Sequence, residues 1–165
     1  MVSHIIEKTI YSFSNFFLSL PFVIFGLAGY DKNEVKADWQ PPGYVFGIVW
    51  PILYLLFGIM NLRIFNLKSI GNQVRYSLIN NSLHESLLQT LWLLVTSNLG
   101  NGRSFIQQFL GLIVMGILVY FCFKTRIPNL FKNDKVSFIM YLPYSLWISF
   151  AFILNLQIVL KYLKK

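Results

Sequence analysis

Charge is the scarcest ingredient of this 165-residue chain: only 12% of its residues are Asp, Glu, Lys or Arg, about half the quarter usual in a water-soluble domain. That shortage excludes an ordinary soluble fold. Acids are rarer still, six against 14 basic residues, and a single cysteine, Cys122, makes an intrachain disulfide impossible and says nothing about compartment. With two histidines and that one thiol there is no metal-ligand spacing and no haem-attachment motif. Neither a phosphate-binding glycine loop nor a nucleophile elbow occurs. No internal repeat or low-complexity tract is present. The N-terminal hydrophobic run lacks an Ala-x-Ala cleavage site and is too long for a signal-peptide core, so it is read as a retained helix.

What the chain has is uncharged length. Hydrophobic residues make up 56% of it, and 22 uncharged positions lie between Lys8 and Asp31, 24 between Asp38 and Arg63, 20 between Arg103 and Lys124 and 25 between Lys135 and Lys161. Each run can cross the ~30 Å hydrocarbon core as a helix of about 20 residues. A fifth span is expected from Asn80 to Leu99, although Glu85 interrupts it and leaves 17 uncharged residues before Arg103. The fold class is therefore an all-α membrane protein, a bundle of five transmembrane helices at approximately 9–30, 43–64, 78–98, 103–124 and 136–161, forming one membrane domain over residues 1–165. The connections would be Asp31 to Pro42, Phe65 to Tyr76, the tight turn 98–102, and Thr125 to Asp134. Short links make successive helices neighbours in an up-and-down bundle.

A net charge of +8 would suggest nucleic acid in a soluble protein, but here the basic residues are spread over six segments and read as lipid-headgroup anchors. Eight fall on the N-terminal side (Lys8, Arg63, Lys68, Arg75, Lys124, Arg126, Lys132, Lys135) and six on the other. That excess favours a cytoplasmic N-terminus. His84 beside Glu85 is the one acid/base pair near a span, and it is expected at the interface. Were Glu85 buried instead, it would need a partner and would mark a functional site.

Helical spacing places the polar, small and aromatic residues on three stripes. Helix two carries Trp50, Tyr54, Gly58 and Asn61; helix three carries Glu85, Gln89, Trp92 and Thr96; helix five carries Pro143, Trp147, Ala151 and Asn155. Helix packing with interfacial aromatic anchors would explain any one of these residues. A lining that is both polar and aromatic, repeated on three helices, points further, to a shared cavity on which Trp50, Tyr54, Trp92, Trp147 and Asn155 converge and which suits a flat amphipathic ligand.

The run Trp39-Gln-Pro-Pro-Gly-Tyr-Val-Phe-Gly-Ile-Val-Trp50-Pro-Ile-Leu-Tyr54-Leu-Leu-Phe-Gly58 resembles the second helix of the tryptophan-rich sensory protein or translocator protein (TspO) family, W-x-P-P-x-W followed by V-W-x-x-L-Y-x-x-M-G. Leu142-Pro143-Tyr144-Ser-Leu-Trp147-Ile-Ser-Phe150-Ala151-Phe-Ile-Leu154-Asn155 is similar to that family's fifth helix, P-Y-x-x-W-x-x-F-A-x-x-L-N, and Leu88-Gln89-Thr90-Leu91-Trp92 to its L-N-x-x-W. The resemblance implies a five-helix bundle, often a homodimer, whose ligand cavity is closed by the first long loop. Its ligands would be porphyrins and other tetrapyrroles or sterols, bound as ligand and not as a required cofactor. Carried over by position, the lining includes Trp39, Pro41, Pro42, Trp50, Tyr54, Trp92, Trp147, Ala151 and Asn155, with Tyr44 and Gln89 standing where the family usually has tryptophan and asparagine. Leu156 replaces the tyrosine that often follows the fifth-helix asparagine.

A proposed sterol pattern can be drawn through Val159, Tyr162 and Lys164, and equally through Leu118, Tyr120 and Lys124, so it discriminates little in so apolar a chain. Three functions remain: a binding, sensing or carrier protein for tetrapyrroles or sterols, a light-dependent porphyrin-degrading enzyme of the kind known among bacterial family members, and a membrane scaffold acting through protein partners. Nothing in the residues independently demands catalysis. Partners are membrane lipid, a small hydrophobic ligand and a second copy of the chain, and no nucleic acid. Five spans place the two termini on opposite sides of the bilayer, so accessibility reporters fused to either end should give opposite answers; like answers would mean an even number of crossings.

Overall fold

In the computed structural model, residues 2–19, 35–97 and 104–164 are described; the later part of the first expected span, the start of the connection before residue 35 and the 98–102 turn lie outside the described residues. The elements are α1 (Val2–Ser12), α2 (Gly43–Asn66), α3 (Asn72–Thr96), α4 (Phe105–Phe121), a π-helical turn (Cys122–Arg126), α5 (Ile127–Asn133) and α6 (Lys135–Leu163). Beyond α1 the chain is helical again over 14–19, with Phe13 N–H donating to the Thr9 carbonyl and Phe17 N–H to the Phe13 carbonyl, each at 3.0 Å. The architecture is all-α. Among the described residues, three helical stretches are long and apolar enough to cross a membrane: Gly43–Asn66, Phe105–Asn133 and Lys135–Leu163, with mean hydropathies of 2.0, 2.1 and 1.7.

Two expectations are corrected by this arrangement. Residues 125–133, expected as the fourth connection, are helical, because the π turn carries the axis of α4 onward into α5. The extra residue in that turn has a local cause: Pro128 has no N–H and its ring collides with the carbonyl four residues back in a regular helix. Widening the ladder relieves this, and Ile127 N–H reaches the Cys122 carbonyl five residues back instead. The third helix begins at Asn72, earlier than the expected 78.

In the bundle α4 packs against both α3 and α6, while α2 packs against α1, α3 and α6. Tyr54, Met60, Ile64, Met115, Leu118 and Ile148 form its fully buried centre, and Ile113, Ile117, Leu146 and Ile153 cover the outside. An apolar exterior is what a lipid solvent demands. Glycine sets the closest approach: a Cβ on Gly58 of α2 would overlap the Phe13 ring of the N-terminal segment. Pro51 and Pro143 sit inside α2 and α6, which spanning helices tolerate when neighbours satisfy the freed carbonyls.

The most polar helix, α3, satisfies its hydroxyls mainly upon itself. Ser86 Oγ donates to the Ser82 carbonyl (2.9 Å), Thr90 Oγ1 to the Ser86 carbonyl (2.8 Å) and Thr96 Oγ1 to the Trp92 carbonyl (2.8 Å). Ser82 Oγ also donates to Asn61 Oδ1 of α2 at 2.7 Å, and Asn61 Nδ2 to the Ser12 carbonyl at 3.0 Å. That relay joins α3, α2 and α1.

At one end of the bundle Asp134 caps α6, accepting from Ser137 N–H at 3.1 Å and Ser137 Oγ at 2.7 Å, while Arg63 at the end of α2 grips both its oxygens at 2.8 and 3.1 Å. The two-pronged guanidinium contact holds the Asp134 carboxyl down at about 2, against the opposing effect of partial burial. An unfolded aspartate titrates near ~3.9, so this stabilisation is fully present above about pH 4 and is lost as the pH falls through about 2. Asp134→Asn keeps a capping side chain and removes the charge. It should lower the thermal midpoint in detergent at pH 7 by the equivalent of about 1 kcal/mol, since Arg63 is partly solvated. Parent and variant should converge towards pH 2; a gap that persists there would assign the effect to the cap and not to the ion pair.

Candidate functional site

The polar stripe of α3 runs through the middle of the bundle and meets a different neighbourhood at each end. Towards its start lies a buried ionic cluster. Glu85 and Arg126 have no exposure at all, and Arg126 Nε stands 3.1 Å from Glu85 Oε2. The other carboxylate oxygen accepts from the Tyr141 hydroxyl of α6 and from the Cys122 thiol at 2.9 Å. Tyr141 Oη is also 2.8 Å from Cys122 Sγ. Arg126 Nη1 donates to the Leu78 carbonyl at 2.7 Å, and its guanidinium lies 5.4 Å from the Tyr141 ring centre and 5.9 Å from that of Phe57. With a hydroxyl and a thiol donating to one oxygen and a guanidinium in ionic contact with the other, the arrangement matches an ionised carboxylate. The two charges cancel inside the bundle.

Two expectations fall here. Glu85 is not at the protein surface, because α3 turns it into the bundle while its neighbour His84 remains on the exposed side. Arg126 is not a headgroup anchor, because residues 122–126 are helical and aim it at Glu85. The rule that an intramembrane carboxylate needs a partner was the available signal for this pair. Cys122 and Tyr141, which complete it, carried no sequence signal of their own.

Farther along α3 lies an aromatic cluster centred on Trp50, which is 3% exposed. Its ring stacks on Tyr54 at 5.5 Å and 27°, lies 5.9 Å from Trp92 and meets Trp147 edge-on at 6.2 Å. Trp147 stacks on Phe150 at 5.2 Å, and Phe150 meets Trp39 at 5.5 Å. These contacts form a ladder of rings from Trp39, 47% exposed, inward to Trp50. Gln89 Nε2 donates to Tyr54 Oη at 3.3 Å, so the α3 stripe also fixes the far side of the Trp50 stack.

Asn155 joins from α6, donating through Nδ2 to Gln108 Oε1 at 3.0 Å and to the Gln108 carbonyl at 3.2 Å. Gly111 makes this corner possible. A Cβ there would overlap the Thr96 methyl and lie 3.3 Å from Asn155 Oδ1 and 3.7 Å from Trp92 Cδ1. Ala151 is buried one turn from both Trp147 and Asn155. Several buried polar atoms around these rings have no hydrogen-bond partner: the indole N–H groups of Trp92 and Trp147, Gln89 Oε1 and Asn155 Oδ1. An unmet donor or acceptor in an apolar interior costs about 1–3 kcal/mol.

The structure therefore brings Trp39, Trp50, Tyr54, Gln89, Trp92, Trp147, Ala151 and Asn155 to one side of the bundle. Tyr44, by contrast, is 67% exposed. It precedes Trp50 by six residues, about 240° around a helix, and so faces the other way. Pro42 is exposed as the residue preceding α2, and Pro41 is half-buried. Gln108, which tethers Asn155, was missed because the fourth helix offered no polar stripe. Neither sterol pattern forms one surface: Val159 and Leu118 are buried, whereas Lys164 and Tyr120 are exposed. No group of three His, Cys, Asp or Glu side chains able to hold a metal occurs among the described residues.

The chain matches the model of the TspO/MBR family over residues 17–160. It is 27% identical over 132 residues to the tryptophan-rich protein TspO of Chlorobaculum tepidum, a match covering 78% of this chain and 77% of that protein. It is likewise 27% identical over 131 residues to protein CrtK of Rhodobacter capsulatus, covering 79% of this chain and 76% of the relative.

The ionic cluster generates a sharp expectation. Glu85→Met or Arg126→Met alone strands one buried charge and should destabilise the protein by about 3–5 kcal/mol. Glu85→Met combined with Arg126→Met removes both charges and should unfold at a higher temperature than either single variant. Additive losses in a thermal double-mutant cycle would show that the two side chains are not coupled.

Proposed function

The chain belongs to the TspO/MBR family of integral membrane proteins, and from that premise we propose that it binds a flat hydrophobic ligand of the tetrapyrrole class among its helices, as a sensor or carrier. The observation that carries the reading is the Trp50 cluster. Four aromatic side chains from three helices meet there, with the buried indole N–H groups of Trp92 and Trp147 unpartnered beside them. A porphyrin offers a large π face for stacking and edge carboxylates as acceptors for such donors. An aromatic pair contributes ~0.5–1.5 kcal/mol beyond burial. Trp39, at the exposed end of the ring ladder, precedes α2 on the connection tied to α6 through Asp38, which accepts from Gln157 Nε2 at 3.0 Å and pairs with Lys161. That tie positions the connection as the cover of the site.

A sterol would use the same apolar contact area with a single hydroxyl to satisfy, and the two unpartnered indole donors favour the tetrapyrrole. Light-dependent breakdown of a bound porphyrin is the alternative that the tryptophan-rich setting keeps open. Titration of the purified protein with protoporphyrin, followed by fluorescence quenching in darkness and by absorbance under illumination, separates the readings. Binding alone supports a sensor or carrier, a new absorbing product supports an enzyme, and no interaction supports a scaffold. Trp50→Phe or Trp147→Phe should weaken binding by roughly threefold to tenfold, one aromatic contact's worth at ~1.4 kcal/mol per decade, while Ile113→Leu on the lipid face should change nothing. Parent-like affinity in both tryptophan variants would remove the site's main support.

A further inference from the structure

The outward face of α3 changes character partway along its length. Its exposed residues are Asn72, Gln73, Tyr76, Ser77, Asn80, His84, Leu87, Leu91 and Leu94, polar except for Tyr76 up to His84 and apolar beyond it. Along α4 and the π turn the exposed residues run Ile113, Ile117, Tyr120, Phe123 and Lys124, so the first charge on this face comes at Lys124. The two helices are held at a common level by the Cys122 contact to Glu85 at 2.9 Å, so both transitions fall at one height. That height marks the edge of the hydrocarbon, where tyrosine and lysine belong. Just inside it, between the helices, is a groove of about 500 Å³ lined by His84, Leu87, Leu88, Leu91 and Phe121.

We propose that this groove seats an anionic phospholipid, its acyl chain along Leu87, Leu91 and Phe121 and its phosphate between His84 and Lys124. The imidazole of His84 offers an N–H donor at the rim. Lys124, one turn beyond Phe121, is exposed and has no acidic partner among the described residues. Lys68, Lys132 and Lys135 are exposed on the same membrane side, where Asp134 is paired with Arg63 and Glu85 with Arg126. An apolar channel closed at its water end by unneutralised cations is complementary to an acyl chain bearing a negative headgroup, and not to a zwitterionic one. This site lies on the outer surface of the bundle and is separate from the Trp50 cluster.

The test is native mass spectrometry of the full chain in a non-ionic detergent with equal amounts of phosphatidylglycerol and phosphatidylcholine. The parent should retain phosphatidylglycerol preferentially. The double variant His84→Ala, Lys124→Gln should lose roughly fivefold of that retention, the worth of one surface cation. Both positions are exposed, so folding is not at risk, and a helical circular dichroism spectrum confirms it. Lys132→Gln, on the same face but outside the groove, should retain the lipid as the parent does, and millimolar inorganic phosphate should not displace it. Equal retention of the two lipids, or an unchanged preference in the double variant, would overturn the proposal. So would displacement by phosphate, which would mean a bare anion site, or a Leu87→Cys variant crosslinking two copies of the chain whether or not lipid is present.

Discussion

A carboxylate and a guanidinium 3.1 Å apart, neither touching solvent, set the terms for everything around them. Their attraction is on the order of 4 kcal/mol at an effective dielectric of ~20, and removing each ion from water costs several kcal/mol. Desolvation of the two ions offsets that attraction or exceeds it, so the Glu85 and Arg126 pair adds no net stability. What it adds is geometry. A buried charge tolerates only arrangements in which its partner is present, and this requirement fixes α3 against the π turn that follows α4. Tyr141 and Cys122, both donating to the same oxygen, extend the constraint to α6.

From that fixed point the rotation of α3 follows. Gln89 lies four residues beyond Glu85 and Trp92 three beyond that, so turning Glu85 inward turns both inward as well. Gln89 then meets Tyr54 and Trp92 meets Trp50. The aromatic cluster is thereby placed by a contact one to two turns back along the same helix. The same rotation sends His84 outward, which is why a single pair of neighbouring residues contributes to an internal lock and to an outer groove.

Much of this could be read from the residues, for reasons that differ by position. Uncharged runs reveal spans because lipid penalises charge, and steps of three and four reveal shared faces, so Trp50, Tyr54, Trp92 and Trp147 were legible as a group. Arg126 was not. It stands beside Lys124 at the end of an apolar run, where a basic residue is ordinarily an anchor, and only the extra residue of the π turn carries the helix on and turns it inward. Tyr44 differs for the converse reason: its motif position lies on the face of α2 turned away from Trp50, where it is exposed. The third helix is the least apolar of the long ones, since α3 carries serines, threonines and glutamine whose cost in lipid is offset by bonds to its own carbonyls and to α2.

A helix so polar cannot lie against lipid along the face that carries those groups, so α3 must present that face to the bundle. The bundle must in turn supply partners along its length, and the supply is uneven. Around Glu85 the neighbours are polar: Asn61 accepts from Ser82, Cys122 and Tyr141 donate to one oxygen of Glu85, and Arg126 faces the other as an ion pair without a hydrogen bond. Near Trp92 the neighbours are mainly rings, which bring area and few hydrogen-bonding atoms, and there the unpartnered indole N–H groups and amide oxygens accumulate. Unsatisfied polarity beside a large aromatic surface is expensive for a protein to keep for packing alone. A flat ligand with acceptors on its edge would remove that cost, and the end of the stripe where the helices leave polar groups unmet is where the proposed function places it.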